Sequence, residues 1–220
     1  MKICIIIPAH NESREIARLI KEIKGQNPDV LVVDDGSTDN TAEIASEAGA
    51  VVLKNQANEG KGSCLRKGFA YALTHNFDAA VTMDGDGQHL PQDLKSFISL
   101  AGVSKSGILI GNRMLQTRNM PLIRLLTNRF MSWLISRLCK QDIPDTQCGF
   151  RLIKRQVLER IELKTSKFEI ETEILIKASR SGFKIDSIPI TTVYRGEKSR
   201  INPLVDTLRF LKFIIKTGSK

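Results

Sequence analysis

Short β-branched runs alternate with stretches of helical spacing through the first half of this chain, and turn residues separate them. Lys2–Ile7 reads as a buried strand, followed by Asn11-Glu12-Ser13 and then Ile16, Leu19, Ile20 and Ile23 at the three-to-four spacing of one helix face. Val30-Leu31-Val32-Val33 predicts a second strand, ended by Asp34-Asp35-Gly36-Ser37. Thr38 or Asp39 is placed to cap a helix carrying Ala42, Ala45 and Ala48 and stopped by Gly49. Val51–Leu53 predicts a third strand, 61–75 a helix, 79–83 a strand, 91–101 a helix and 107–111 a strand. Alternation at this pitch predicts one α/β domain, its sheet mostly parallel and covered by helices on both faces.

The second half has a different texture. Residues 119–140 mix apolar positions with Arg124, Arg129 and Arg137, which predicts one or two amphipathic helices. A helix is expected over 166–181 and a strand over 185–193, with Pro189 placing that strand at an edge or a bulge. The tail 203–216 reads as a helix with Leu204, Leu208, Leu211 and Ile215 as its stripe and Arg209, Lys212 and Lys216 on a neighbouring face. The expected organisation is a domain over 1–202, with halves 1–111 and 112–202, followed by a basic amphipathic helix over 203–220.

Charge changes the picture more than composition does. Hydrophobic residues at 41% and charged residues at 26% of 220 are ordinary for a folded domain with a sizeable core. Residues 1–110 carry 11 Lys and Arg against 14 Asp and Glu, whereas 111–220 carry 22 against 10. The whole net charge of +9 therefore resides in the second half. A one-sided excess implies an anionic partner, either a phosphorylated lipid or a membrane surface. Nucleic acid is disfavoured, because aromatics are only 5% and no aromatic-basic RNA motif occurs. Cys4, Cys64, Cys139 and Cys148 lack metal-ligand spacing and form no secreted disulfide pattern. No run reaches the length of a membrane span or a signal peptide, so the expected location is cytoplasmic.

Candidate chemistry gathers at strand ends. Asp84-Gly85-Asp86-Gly87-Gln88-His89 follows a predicted strand and precedes a helix start, at the edge where open α/β sheets bind ligands. An isolated Asp-x-Asp is usually a solvated turn. Here two carboxylates, with glycines that leave room beside them, suit Mg²⁺ or Mn²⁺. Extended backbone would point Asp84 and Asp86 to the same side. Pro8-Ala9-His10-Asn11-Glu12 and Asp34-Asp35-Gly36-Ser37-Thr38-Asp39 end two further strands at that edge, and Asp35 there suits ribose hydroxyls or a base N–H. Gly60-Lys61-Gly62 opens a helix where backbone and ammonium can approach phosphate.

Together with Asp145-Thr146-Gln147-Cys148-Gly149-Phe150-Arg151, the motifs over Ile6–Glu12, Val33–Asp39 and Asp84–His89 resemble family 2 glycosyltransferases of the GT-A fold. The likeness spans about 3–202 and is strongest to the polyprenyl-phosphate glucose and mannose synthases. It implies a nucleotide-sugar donor held by Pro8, His10, Glu12 and Asp35, with Lys61 and Gly85 in the same site. It also implies Mg²⁺ or Mn²⁺ held by Asp86 and Gln88 with Asp84 nearby, and inversion at the anomeric carbon. Arg113 and Arg129 would clamp the phosphate of a polyprenyl acceptor, and Arg195 belongs to a basic loop with Lys198 and Arg200.

A phosphate acceptor is largely dianionic at neutral pH and needs positioning more than a base. A hydroxyl acceptor on a glycan or glycolipid would need Asp145 as general base. A silent nucleotide-sugar binder is the third reading, and the intact Asp84, Asp86 and Gln88 speak against it. UDP-glucose is slightly favoured over GDP-mannose as donor. Basic helices over 119–140 and 203–216 imply peripheral contact with the inner membrane face.

Overall fold

The computed structural model of this protein describes residues 1–26, 28–117, 120–192 and 213–214. The first half runs β1 (Ile3–Ala9), α1 (Ile16–Lys24), β2 (Asp29–Asp34), α2 (Thr41–Glu47), β3 (Val51–Lys54), α3 (Lys61–Thr74) and β4 (Ala79–Thr82). A single 3-10 turn, Pro91–Asp93, leads into α4 (Leu94–Ala101), and β5 (Ile108–Asn112) follows. Then come α5 (Leu122–Cys139), β6 (Arg151–Lys154), α6 (Arg155–Arg160), α7 (Ile170–Arg180) and β7 (Ile185–Pro189). Among the described residues the strands form one sheet in the order β3-β2-β1-β4-β6-β5-β7.

The expected α/β domain with a mostly parallel sheet is what forms. Ile5, Ile6 and Ile7 of β1 and Leu31, Val32 and Val33 of β2 are fully buried, as a strand covered on both faces requires. On α1 the buried residues are Ile16, Leu19, Ile20 and Ile23, the stripe its spacing predicts. Pro189 ends β7 at the sheet edge, where its missing N–H leaves no ladder bond unmade. Of the segment expected to give one or two helices, Leu122–Cys139 is one continuous helix, and α2 starts after a turn in which Asp39 Oδ1 accepts the Thr41 N–H at 3.1 Å.

Two elements fall outside the sequence expectations. Strand β6 and the short helix α6 were not foreseen, and β6 lies in mid-sheet, antiparallel to both β4 and β5. Its direction matters for the site. Thr82 at the end of β4 stands opposite Arg151 at the start of β6, and Ile110 near the end of β5 pairs with the same residue. The ends of β1, β2, β4 and β5 and the beginning of β6 therefore share one edge. The tail expected as a helix over 203–216 lies outside the described residues except Phe213 and Ile214, which are helical and pack against the core.

Candidate active site

The β1 and β2 ends are stitched to each other before any ligand is considered. His10 Nδ1 lies 2.9 Å from the Asp35 carbonyl oxygen, and Asn11 Oδ1 accepts the Thr38 N–H at 2.9 Å. The Glu12 N–H donates to Thr41 Oγ1 at 2.8 Å. Asp35 in turn reaches forward to α3. Its Oδ1 accepts Asn55 Nδ2 at 2.9 Å and the Glu59 N–H at 2.8 Å, while Oδ2 accepts the Gly60 N–H at 2.8 Å. Burial would raise the Asp35 carboxyl, but these donors prevail and hold it below its ordinary value. Asp35 is thus a buried tie that sets the entry of α3 as well as a donor-site candidate. Gly60 there takes φ +101°, a region that favours glycine.

Lys61, the first residue of α3, turns its ammonium into a buried charge cluster. Nζ lies 2.5 Å from Asp84 Oδ1 and 2.7 Å from Glu171 Oε1 on the first turn of α7. The other Asp84 oxygen lies 3.6 Å from His89 Nε2, whose ring is buried against Phe150. Burial would raise the Asp84 carboxyl, yet Lys61 and then His89 hold it far below the ordinary carboxylate range. For Lys61 burial alone would depress the ammonium, and Asp84 and Glu171 raise it above its usual value instead. A Cβ on Gly149 would lie 2.7 Å from Asp84 Oδ2, 3.0 Å from Glu171 Oε1 and 3.1 Å from Lys61 Nζ. Glycine is required here because three charged groups converge on its α-carbon.

Gly85 and Asp86 form a turn, not the extended segment that would aim both carboxylates one way. Asp84 and Asp86 consequently have different partners: Asp86 Oδ1 accepts the Gln88 N–H at 3.0 Å. Gly85 nestles under Pro8 and Glu12, with an added Cβ 3.4 Å from the Pro8 carbonyl oxygen and 3.5 Å from Glu12 Cγ. Among the described residues no three His, Cys, Asp or Glu side chains stand ready around one point for a metal. Asp86 and Gln88 fit Mg²⁺ or Mn²⁺ as hard oxygen donors on one turn. Asp84 could join them, and its Oδ1 would be open to the ion only once Lys61 leaves that oxygen.

Arg113 and Asp145, separate candidates in the sequence, form one unit. Nε and Nη2 of Arg113 donate to Asp145 Oδ2 and Oδ1 at 2.7 and 2.8 Å, and the Arg113 N–H donates to Oδ2 at 3.0 Å. Asp145 is wholly buried. A base that takes a proton from an outside hydroxyl needs an open oxygen, and in this arrangement both face Arg113. In this arrangement Asp145 orients the guanidinium.

Two residues without an assigned role in the sequence help to build the site. Glu171 gave no signal beyond an acidic first turn of a helix. Arg151 is 1% exposed, and its guanidinium donates to the carbonyl oxygens of Thr146, Cys148 and Glu171, fixing the turn that carries Asp145 and Gly149. Thr82 Oγ1 adds a bond to the Gly149 carbonyl oxygen at 2.7 Å. Arg129 stands exposed on α5 and lines an open groove of about 650 Å³ with Trp133, Arg137 and Lys140. Arg195, Lys198 and Arg200 lie outside the described residues.

With this geometry in place, comparison with known proteins gives consistent results. Residues 4–162 match the model of Glycosyl transferase family 2. The chain is 29% identical over 215 residues to the UDP-N-acetylglucosamine–dolichyl-phosphate N-acetylglucosaminyltransferase of Methanococcus voltae, covering 87% of this chain and 86% of that one. It is 33% identical over 204 residues to the dolichol-phosphate mannosyltransferase of Pyrococcus furiosus, covering 87% of this chain and 56% of that one. Glucosyl-3-phosphoglycerate synthase of Mycobacterium tuberculosis, solved with Mn²⁺ and UDP, shares the fold at a TM-score of 0.73. That likeness has 18% identity and covers 98% of this chain and 78% of the other. The motif-bearing edge, the sheet order and these matches agree: the chain belongs to glycosyl transferase family 2.

Proposed function

We propose that this glycosyltransferase moves a hexose from a nucleotide sugar to a polyprenyl phosphate, with inversion and with Mg²⁺ or Mn²⁺, at the cytoplasmic face of a membrane. One observation carries the acceptor assignment. Helix α5 turns Leu122, Ile123, Leu126, Phe130 and Trp133 to solvent, with Ile123 81% and Trp133 56% exposed. Arg124 and Arg129 are exposed on the same helix. Its inner side holds the turn that carries Asp145, since Ser132 Oγ accepts the Thr146 N–H at 2.9 Å. An apolar, basic surface thus adjoins the Arg113–Asp145 pair, as an isoprenoid chain ending in phosphate demands. No helix among the described residues is long and apolar enough to cross a membrane, so contact through α5 would be peripheral.

The chemistry asked of the protein is then chiefly positional. Asp145 holds the Arg113 guanidinium through Nε and Nη2, which fixes the direction of its other edge, the part that would be offered to an acceptor phosphate. The acceptor phosphate is anionic already and attacks without a base. The lip formed by Pro8, Glu12 and Gly85 would receive the donor nucleotide, and Lys61 the diphosphate. A bound divalent cation on Asp86 and Gln88 would neutralise charge on the leaving nucleotide. Transfer to a sugar hydroxyl is the less supported reading, because the motif carboxylate that would serve as base is enclosed.

The test is a donor and acceptor screen. UDP-glucose, GDP-mannose and UDP-N-acetylglucosamine are offered with undecaprenyl phosphate or a soluble glycan, plus Mn²⁺, and nucleotide diphosphate release is followed. Turnover with the lipid phosphate is expected. Turnover confined to the glycan would replace the acceptor assignment.

A further inference from the structure

The Lys61 cluster holds more carboxylate than one ammonium requires. A lysine sealed against a single buried acid cannot leave it cheaply, because separation strands two desolvated charges. Lys61 has two acids, Asp84 at 2.5 Å and Glu171 at 2.7 Å, and its side chain is only 15% exposed. Giving up Asp84 would leave the ammonium still paired. Its backbone is anchored by the Asp35 bond to the neighbouring Gly60 N–H, so the flexible four-carbon stem is the moving part. Gly149 lets the three charged groups lie this close together, since a Cβ there would strike all of them.

We propose that Lys61 is a built-in counter-cation that occupies Asp84 until a divalent cation takes that oxygen, and that Glu171 is the reserve partner that makes the exchange possible. The exchange rests on the metal-dependent reading above and adds to it a role for Glu171. Without the metal, Lys61 keeps Asp84 from repelling Asp86 and Glu171. With it, Asp84 becomes a third oxygen donor beside Asp86 and Gln88, while Lys61 keeps Glu171 as its acid and turns its remaining N–H groups to the donor diphosphate. Removing either partner of Lys61 then has opposite consequences for the ion. Losing the ammonium removes a competitor, whereas losing Glu171 leaves Asp84 as the ammonium's sole acid and strengthens the competition.

The experiment titrates the purified full chain with Mn²⁺ alone, and again with UDP or GDP present, reading free Mn²⁺ by electron paramagnetic resonance. Lys61→Met should bind Mn²⁺ about tenfold tighter than the parent chain, and Glu171→Gln several-fold weaker. Weaker binding in both variants is the signature of a merely structural cluster and overturns the exchange. So does unchanged binding in Lys61→Met while the parent chain binds. A parent chain that binds no Mn²⁺ under any of these conditions overturns the metal reading itself, and the exchange with it. Should Lys61→Met not fold, tighter or unchanged binding in Glu171→Gln alone overturns the proposal, and several-fold weaker binding there, with Lys61→Arg close to the parent, supports it.

Discussion

Asp145 holds Arg113 with both carboxylate oxygens, at 2.7 and 2.8 Å, across 32 positions of sequence. The two side chains are 0% and 6% exposed, so neither charge has water to fall back on. Asp145→Asn should therefore cost about 3–5 kcal/mol of folding stability, measured by urea denaturation. Adding Arg113→Met should recover much of that loss, since it removes the stranded guanidinium. A single-variant loss below about 1 kcal/mol would show that the pair matters little to the fold. Any fall in transfer by Asp145→Asn has to be read beside this measurement.

Asp86 lies on the turn whose oxygens suit a divalent cation, and its Oδ1 accepts the neighbouring Gln88 N–H. Asp86→Ala should abolish transfer and leave the melting temperature nearly unchanged, and excess chelator should do the same to the parent chain. Full turnover in chelator would contradict the metal assignment.

The exposed face of α5 gives a prediction separable from stability. Leu126 is 57% and Trp133 56% exposed, so Leu126→Ser with Trp133→Ser should shift unfolding by less than about 0.5 kcal/mol each. The same pair should sharply reduce co-sedimentation with vesicles of anionic lipid. Parent binding should weaken as salt rises, because each basic residue near an anionic surface contributes about 1 kcal/mol. Undiminished sedimentation of the double variant would move the lipid contact elsewhere.

Asp35 ties β2 to α3 as a carboxylate, and this sets an acid limit. Its folded pKa lies below the ordinary 3.8, so the stabilisation is fully present above that value and is lost as pH falls through the folded value. We expect stability to decline below about pH 4, and Asp35→Asn to be less stable at neutral pH but less acid-sensitive. Parallel pH curves for the two chains would assign the acid limit to other groups.

The parallel half of the fold was legible because its strands are buried on both faces. Ile5–Ile7 and Leu31–Val33 are continuous apolar runs, which little else produces. β6 was not legible: Arg151-Leu152-Ile153-Lys154 is four residues with a charge at each end, and its Arg is buried only because three carbonyl oxygens receive it. Helix α5 was readable as a helix, but spacing alone does not say which apolar face turns outward. Motifs marked Asp84, Asp86 and Asp145 as special, yet they did not show that Asp84 would meet Lys61 or Asp145 would meet Arg113. The second pairing depends on the antiparallel strand, which brings the turn before Arg151 to the end of β5. Glu171 was hidden because one acid on a helical first turn is commonplace.

The placement of β6 also governs how the chain assembles in time. β5 pairs with β6 and β7 but not with β4, although it is the next strand to be synthesised. On a growing polypeptide β4 would keep an open edge, and β5 would have no neighbour, until Arg151–Lys154 has been made. The segment between them carries α5 with its apolar surface, which must stay out of wrong associations meanwhile. A truncated product ending near residue 111 should therefore be aggregation-prone and not a foldable nucleotide-binding half. Late closure of the sheet by non-local pairing should make the intact chain a slow folder for its size.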